Sequence, residues 1–271
     1  MKNLTFRRIY ALSLISLLIY ISPVAAQVSA NLVENHTSVN SLKISINDEA
    51  SHSSSNSDLK TNHIEITTIG SSTVEGFKAL NFQKNIQDYF NQYHTGKTVS
   101  IESYDKAGET TAKMINRFKR NNNQKSGYLL ILVGTNDALA IALNKLTISV
   151  TETSVRDLIE TSRKNNVTPV LGTVPYFNAK NSKFFEKGNE AVEQINALYV
   201  RLAKEYNIKL TDVNAIIGHN YSLYIDAIHP NSDGCKVISS AWFSTLNQLI
   251  DPNIRAEAMS FNLHTAIVIA E

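Results

Sequence analysis

The chain has 271 residues, of which 43% are hydrophobic, and this is enough to bury one sizeable core. Its 26 lysines and arginines nearly balance its 24 aspartates and glutamates, which gives a formal net charge of +2 without a long run of either sign. This balance offers no basic surface for nucleic acid, so we expect no nucleic-acid partner. The single cysteine, Cys235, excludes an intramolecular disulfide, and stability must come from an ordinary core.

The first 26 residues have the pattern of a secretory signal peptide. Lys2, Arg7 and Arg8 supply positive charge, and residues 9–22 are uncharged and mostly apolar. Val24-Ala25-Ala26 then places small residues at the −3 and −1 positions of a cleavage site. The apolar run is shorter than the roughly 20 residues of a bilayer span, which disfavours a permanent anchor. We therefore expect an exported protein, periplasmic or secreted, with no stable transmembrane anchor after cleavage.

Two segments flank the expected domain, which spans residues 63–250. Residues 27–62 are rich in serine and asparagine and too poor in large apolar groups to offset the entropy of ordering, so they are interpreted as a mobile arm or linker. Residues 251–271 begin with a helix-stopping Asp-Pro pair and form a C-terminal tail. Residues 42–46 and 266–270 are candidates for added edge strands.

Strand-like and helix-like patterns alternate between these segments. The predicted strands are short and largely aliphatic: Ile64–Ile69, Thr98–Tyr104, Tyr128–Val133, Thr168–Val174 and Ile208–Thr211. The predicted helices have apolar residues at helical spacing: Val74–Tyr93, Thr110–Arg120, Ala138–Leu146, Thr151–Asn165, Glu186–Glu205 and Ser232–Ile250. Because such alternation builds a parallel sheet with right-handed crossovers, we expect a three-layer α/β/α fold with five parallel strands.

Small, polar and ionisable residues follow the predicted strands at their carboxyl ends, where parallel sheets bind ligands. Ser72 follows the first strand, His229 can remove its proton, and Asp226 can orient the imidazole from three residues away. The backbone N–H groups of Ser72 and Gly108 and the side-chain amide of Asn136 can donate to an oxyanion. This set of residue types predicts acyl transfer through a serine nucleophile.

Each of these residues has a simpler structural role when it is taken alone. Ser72 is a preferred helix N-cap, Asp226 and His229 fit a surface turn, and Asp137 can cap the helix that follows it. Their joint occurrence at strand ends favours the catalytic interpretation. The histidines lack metal-ligand spacing and no complete P-loop is present, so we expect neither a metal nor a cofactor.

Three blocks of this sequence resemble those of the SGNH, or GDSL-type, hydrolases. Gly70–Ser72 is similar to the family's GDS motif, Gly134–Asp137 matches its GxND block, and Asp226–Pro230 matches its DxxHP block. The resemblance covers residues 64 to about 250 and implies a flavodoxin-like fold that needs no cofactor. It also implies a catalytic triad and an oxyanion hole, with these members: Ser72, Asp226 and His229 for the triad, and Ser72, Gly108 and Asn136 for the hole.

Two positions depart from the family's pattern. Ser71 stands where the family has aspartate, which leaves the hydrogen bonding beneath Ser72 open. In the second block only Gly108 and Thr110 fit, the usual asparagine is missing, and Asp105 is the closest polar substitute.

The sequence thus predicts an exported serine ester hydrolase that cleaves an O-acetyl or short-acyl ester through an acyl-enzyme on Ser72. Its expected substrate is a small-molecule, lipid or glycan ester. Two alternatives stay open, namely an O-acetyltransferase acting on a cell-envelope glycan and a non-catalytic glycan-binding relative. An aromatic group after the fourth strand is either core or one wall of an acyl or sugar pocket: Tyr176, Phe177, Phe184 and Phe185.

Overall fold

A computed structural model describes residues 63–76, 81–94 and 97–250. The predicted signal peptide, the predicted arm, the C-terminal tail and both candidate edge strands lie outside the described residues. The strands are β1 His63–Gly70, β2 Thr98–Ser103, β3 Tyr128–Leu132, β4 Thr168–Gly172 and β5 Lys209–Thr211. The helices are α1 Ser72–Glu75, α2 Gln83–Tyr93, α3 Thr111–Asn121, α4 Thr135–Ala142, α5 Ile148–Lys164, α6 Lys183–Glu205, α7 Val213–Ile217 and α8 Ser232–Ile250, with a 3-10 turn at Tyr221–Leu223.

The five strands form one parallel sheet in the order β2-β1-β3-β4-β5. The predicted three-layer α/β/α fold with a flavodoxin-like sheet is therefore confirmed. The central strand β3 is buried on both faces, because its successive side chains alternate between two hydrophobic clusters. Leu129 and Ile131 belong to one cluster, and Leu130 and Leu132 belong to the other.

The two clusters are the cores between the sheet and its two helical layers. The first includes Phe118 of α3, Leu158 of α5 and Ile195 of α6. The second includes Phe90 of α2 and Trp242 of α8. In parallel sheets of this kind ligands bind outside the carboxyl ends of the strands, so the loops that follow the strands are where a site is expected. None of the helices in the described ranges is long and apolar enough to cross a bilayer.

The helix predicted over Val74–Tyr93 is wrong as a continuous element. The chain leaves α1 at Gly76, whose φ of 98° is outside the helical region, and α2 begins only at Gln83. A second difference concerns α4, which starts three residues earlier than predicted because Gly134 turns the chain with a φ of 109°. The α7 helix and the 3-10 turn were not predicted, since elements of this length are too short to show a period.

Candidate active site

The turn that carries Ser72 is held by backbone hydrogen bonds. Ser72 follows β1 directly and opens α1, and the carbonyl of Ser71 accepts the N–H groups of Val74 and Glu75 at 3.0 and 2.8 Å. The N–H of Lys106, beyond β2, donates to the carbonyl of Gly70 at 3.0 Å. Ser71 is 3% exposed and its hydroxyl makes no capping bond to α1, so the support beneath Ser72 comes from the main chain.

The structure brings Ser72, His229 and Asp226 together in one chain of contacts. Nε2 of His229 lies 2.9 Å from Oγ of Ser72, and Nδ1 of His229 lies 2.8 Å from Oδ2 of Asp226. Since ionised Asp226 can only accept, the imidazole proton belongs on Nδ1, and Nε2 is then the acceptor for the serine hydroxyl. This is the geometry in which an imidazole can act as a general base toward a serine.

The electrostatics of Asp226 favour its charged form. Partial burial acts to raise the pKa of Asp226, but hydrogen bonds from the His229 backbone, the His229 ring and the Ile228 backbone outweigh it and hold that pKa below its usual value. Oδ1 accepts the N–H groups of Ile228 and His229, each at 2.7 Å. The side chain of Asp226 is 41% exposed and that of His229 is 14% exposed. The carboxylate can therefore stabilise an imidazolium that forms beside it.

Residues 224–230, here called the acid–base loop, form a locally closed segment. Tyr224 and Pro230 make an isolated antiparallel bridge, and the N–H of Ile225 donates to the carbonyl of His229 at 2.9 Å. The segment after β4 supports this loop at two points. The Tyr224 hydroxyl donates to the Tyr176 carbonyl at 2.5 Å, and the Asn178 N–H donates to the Ala227 carbonyl at 2.9 Å. Sequence reasoning missed these supports, because long-range backbone contacts have no local pattern.

Of the two expected oxyanion donors outside Ser72, Asn136 bonds to the residue that follows Gly108. Gly108 lies in the loop after β2 with a φ of 73°, and a Cβ built on it would meet nothing within 4 Å. The Nδ2 group of Asn136, at the start of α4, donates to the carbonyl of Glu109 at 2.9 Å. An amide has two N–H bonds, so one stays available. Within the described ranges neither Gly108 nor Asn136 bonds to Ser72 itself, which fits donors that meet across a substrate oxygen.

The sequence predicts that Asp137 caps the helix that follows it. The structure shows that this prediction is wrong. Asp137 lies inside the first turn of α4, fully buried, and its carboxylate accepts from the backbone N–H and hydroxyl of Thr111 at 2.9 and 3.0 Å. Its other oxygen accepts from the Thr151 hydroxyl at 2.9 Å. Burial raises the pKa of Asp137, and these hydrogen bonds act against that shift. The side chain therefore caps α3 and ties three helices together next to Asn136.

Asp105 is half-buried between the ends of β1 and β2. Its Oδ2 accepts from Thr68 Oγ1 at 2.8 Å, Gln83 Nε2 at 2.9 Å and Ser103 Oγ at 2.5 Å, whereas its Oδ1 is buried without a partner. Burial raises the pKa of Asp105 to about 6. The contacts of this substitute for the family's asparagine thus anchor the end of β2 and do not include Ser72.

The aromatic residues after β4, predicted to be either core or one wall of a pocket, differ in burial. Phe177 is buried in the first core cluster, whereas Phe184 is 40% exposed. Tyr176 is half-buried and its ring stacks on that of His219 with centroids 4.2 Å apart. The Tyr176 carbonyl accepts the hydrogen bond from Tyr224, so this residue lies beside the acid–base loop. That the Tyr176 ring forms one wall of a substrate pocket there stays a prediction.

Two further features lie apart from these residues. A cavity of about 740 Å³ lies at the amino ends of β4 and β5, the opposite edge of the sheet, and includes Arg163, Thr168 and Lys209 in its lining. In the part of the chain that the structure describes, no group of three or more histidine, cysteine, aspartate or glutamate side chains could hold a metal ion.

Comparisons with known proteins identify a matching family and solved structures of similar fold. Residues 68–237 match the model of the GDSL-like lipase/acylhydrolase family. An acetylxylan esterase from Geobacillus stearothermophilus shares 17% identity with a TM-score of 0.59, over 68% of this chain and 94% of that chain. A member of the lipolytic protein G-D-S-L family from Veillonella parvula shares 15% identity with a TM-score of 0.56, over 68% and 99%. No curated protein is similar enough in sequence to count as a match.

Further structures of the Geobacillus esterase are catalytic mutants. In them alanine replaces a serine, an aspartate, or a histidine three positions after that aspartate. At sequence identities this low, the structural similarity shows that the chains share a fold.

Proposed function

The chain belongs to the GDSL-like lipase/acylhydrolase family and is a carboxylic ester hydrolase, and from this premise we propose that it cleaves O-acetyl or other short-acyl esters through an acyl-enzyme on Ser72. The observation that carries the proposal is the unbroken contact chain from Ser72 Oγ to His229 Nε2 and from His229 Nδ1 to Asp226.

In the first half of the proposed reaction, His229 Nε2 takes the proton of Ser72 as Oγ attacks the ester carbonyl carbon. The carbonyl oxygen becomes an oxyanion, for which the Ser72 and Gly108 N–H groups and the free N–H of Asn136 are the proposed donors. Imidazolium forms next to the Asp226 carboxylate and then gives its proton to the leaving alcohol. The acyl group stays on Ser72 as an ester.

In the second half, water replaces the alcohol. His229 removes a proton from this water, and the resulting hydroxide attacks the acyl carbon of the Ser72 ester. The same donors hold the second oxyanion, and its collapse returns the proton to Ser72 Oγ and releases the carboxylic acid. The ester and one water are consumed, the alcohol and the carboxylic acid are released, and Ser72 and His229 return to their starting protonation states.

The proposed substrate class is an acetylated glycan. The Geobacillus neighbour is an acetylxylan esterase, and the aspartate-to-histidine spacing of its catalytic mutants equals that of Asp226 and His229. Initial rates on acetate and octanoate esters of p-nitrophenol, followed by acetate release from acetylated xylan, test this choice. We expect acetate to be the better ester, and a preference for octanoate would indicate a lipid ester instead.

Replacement of Ser72 tests the nucleophile. We expect Ser72→Ala to abolish esterase turnover while its unfolding midpoint stays that of the wild type, because the hydrogen bond of the removed hydroxyl within the described residues is to the His229 ring. An organophosphonate probe should label Ser72 in the wild type, and the site of labelling is read by peptide mass spectrometry. Labelling of the adjacent Ser71 in place of Ser72 would contradict the assignment.

We propose that the protein is exported, on the basis of the signal-peptide pattern in residues 1–26. The expected mature N-terminus is Gln27, with a cut at Ala30 as the second choice. Mass spectrometry of the protein purified from its native host measures this end directly. Protein with an intact Met1 in the soluble cytoplasmic fraction would overturn the proposal.

A further inference from the structure

The loop that carries Gly108 is fixed on both of its sides. On the far side, Asn136 Nδ2 donates to the carbonyl of Glu109, and the Glu109 carboxylate accepts two N–H groups of Arg117 at 3.0 and 3.1 Å. On the near side, the carboxylate of Glu75 accepts the N–H of Ala107 at 2.5 Å. The peptide unit that contains the Gly108 N–H therefore lies between two anchored points.

The near-side contact starts in the same helical turn as the nucleophile. Glu75 is three residues after Ser72 in α1, and its own N–H donates to the Ser71 carbonyl at 2.8 Å. A carboxylate accepting a backbone N–H makes a charge-assisted hydrogen bond, which is stronger than a neutral one. Glu75 thus connects the Ser72 turn to the residue that precedes Gly108.

Gly108 needs such anchoring more than most residues do. Its φ of 73° is a conformation that glycine adopts readily, and no neighbouring heavy atom lies within 4 Å of its Cβ position to pack against it. An oxyanion donor is effective only when it is aimed beforehand at the place where charge develops. A misplacement of about 1 Å at a reacting centre lowers the rate by about 10²-fold.

We propose that Glu75 is a positioning residue that holds the Gly108 N–H in register with Ser72. This inference rests on the proposed function, because it assumes that Gly108 donates to the oxyanion. In this role Glu75 acts through its hydrogen bond to Ala107 and the Ala107–Gly108 peptide that follows, and not by touching the reacting atoms. Its effect therefore belongs to the transition state and not to ground-state binding.

Three substitutions of Glu75 separate positioning from general stability. Glu75→Ala removes the acceptor, Glu75→Asp retracts the carboxylate by one methylene, and Glu75→Gln keeps a neutral acceptor at the same reach. We expect kcat on p-nitrophenyl acetate to fall about tenfold in the alanine and aspartate variants and about threefold in the glutamine variant, with KM unchanged. Asp88→Ala is the matched control, because it removes an exposed carboxylate that binds Lys84 at 2.6 Å away from these contacts.

The outcomes separate failure of this inference from failure of the proposed function on which it rests. Turnover that survives Ser72→Ala would overturn the proposed function itself. An inactive Ser72→Ala with wild-type kcat in Glu75→Ala would overturn the positioning role alone. A lowered unfolding midpoint with unchanged kcat would show that the Glu75 contact is merely structural, which also overturns it. A double variant with Asn136→Ala should lose less than the product of the single losses, since both residues hold the same loop.

Discussion

The acid–base loop and the junction between β3 and α4 meet at the same edge of the sheet, but they are held in opposite ways. The acid–base loop is fixed by short contacts within residues 224–230 and by two hydrogen bonds from the segment after β4. The carboxylate that faces His229 is 41% exposed. The junction, residues 133–137, is fixed from the core: the Tyr199 hydroxyl donates to the Val133 carbonyl at 3.0 Å, and Asp137 is fully buried.

This difference separates the groups that are proposed to move protons from the group that is proposed to hold charge. A proton carrier works close to solvent, where water can enter for the second half of the reaction. A donor to an oxyanion must keep one position, and a buried junction supplies that rigidity. Changes in the acid–base loop should therefore alter the rate alone, whereas changes near the junction should also alter stability.

Asp226→Asn should give the largest contrast between rate and stability. The amide can still accept at Oδ1, but its NH₂ group now faces His229 Nδ1 and favours the wrong imidazole tautomer. Loss of the orienting carboxylate lowers kcat on the order of 10⁴-fold in triads of this type. Because Asp226 is part-exposed, the unfolding midpoint should stay within about two degrees of the wild type.

Stopped-assay kinetics and thermal unfolding of Asp226→Asn measure both quantities. A large loss of stability would show that the acid–base loop is a structural support of the domain and would remove the contrast drawn here. A kcat within tenfold of the wild type would show that Asp226 does not orient His229.

Asn136→Ala should give a smaller loss of rate and a measurable loss of stability. Removing one oxyanion donor lowers kcat by about 10²–10³, and KM should change little because the ground-state carbonyl is a weaker acceptor. The hydrogen bond to the Glu109 carbonyl is lost as well, at about 1 kcal/mol of unfolding free energy. Steady-state kinetics and urea unfolding of one preparation measure both effects. A near-normal kcat with reduced stability would leave Asn136 as a tether without a role in the reaction.

The effect of Asp105→Asn should be confined to the pH dependence of stability. Burial raises the folded-state pKa of Asp105 to about 6 from an ordinary 3.8, with the nearby Arg117 and Glu75 charges acting in opposite directions. Between these pH values the folded chain keeps a proton that the unfolded chain releases, so this group's stabilisation is present in acid and is lost as the pH rises toward 6. Asparagine does not titrate, so the stability of Asp105→Asn does not fall in this way as the pH rises.

Urea unfolding at pH 4, 5, 6 and 7 measures the effect of Asp105. The stability of Asp105→Asn relative to the wild type should rise on the order of 2 kcal/mol across this range. Asp88→Asn, at an exposed carboxylate, serves as the control and should leave the curve unchanged. Parallel curves for the wild type and Asp105→Asn would show that the buried carboxyl does not titrate in this window.

The strands and the strand-end residues could be predicted because their signals are local. Continuous apolar runs predict the bounds of β3 and β4 to within two residues. Because ligands bind at the carboxyl ends of parallel strands, Ser72, Asp226 and His229 could then be predicted to lie at one edge of the sheet. The break at Gly76 was hidden for a physical reason. Val74, Phe82 and Phe90 pack into the same core cluster, so their spacing imitates one continuous amphipathic helix.

The tethers around the site could not be predicted, because they join residues that are distant in the chain. Asp137 binds Thr111, 26 residues away, and Glu75 binds Ala107, 32 residues away. A lone Asp or Glu after a strand is equally compatible with a local cap or an exposed surface position. Only the packing of α3 and α5 against α4 decides between them.

The short span between Asp226 and His229 has an evolutionary consequence. Both residues lie in one segment closed by the Tyr224–Pro230 bridge, so their mutual geometry is set largely within that segment. Insertions in the helices and outer loops should therefore be tolerated over evolution, provided that the sheet still presents this segment to the serine turn.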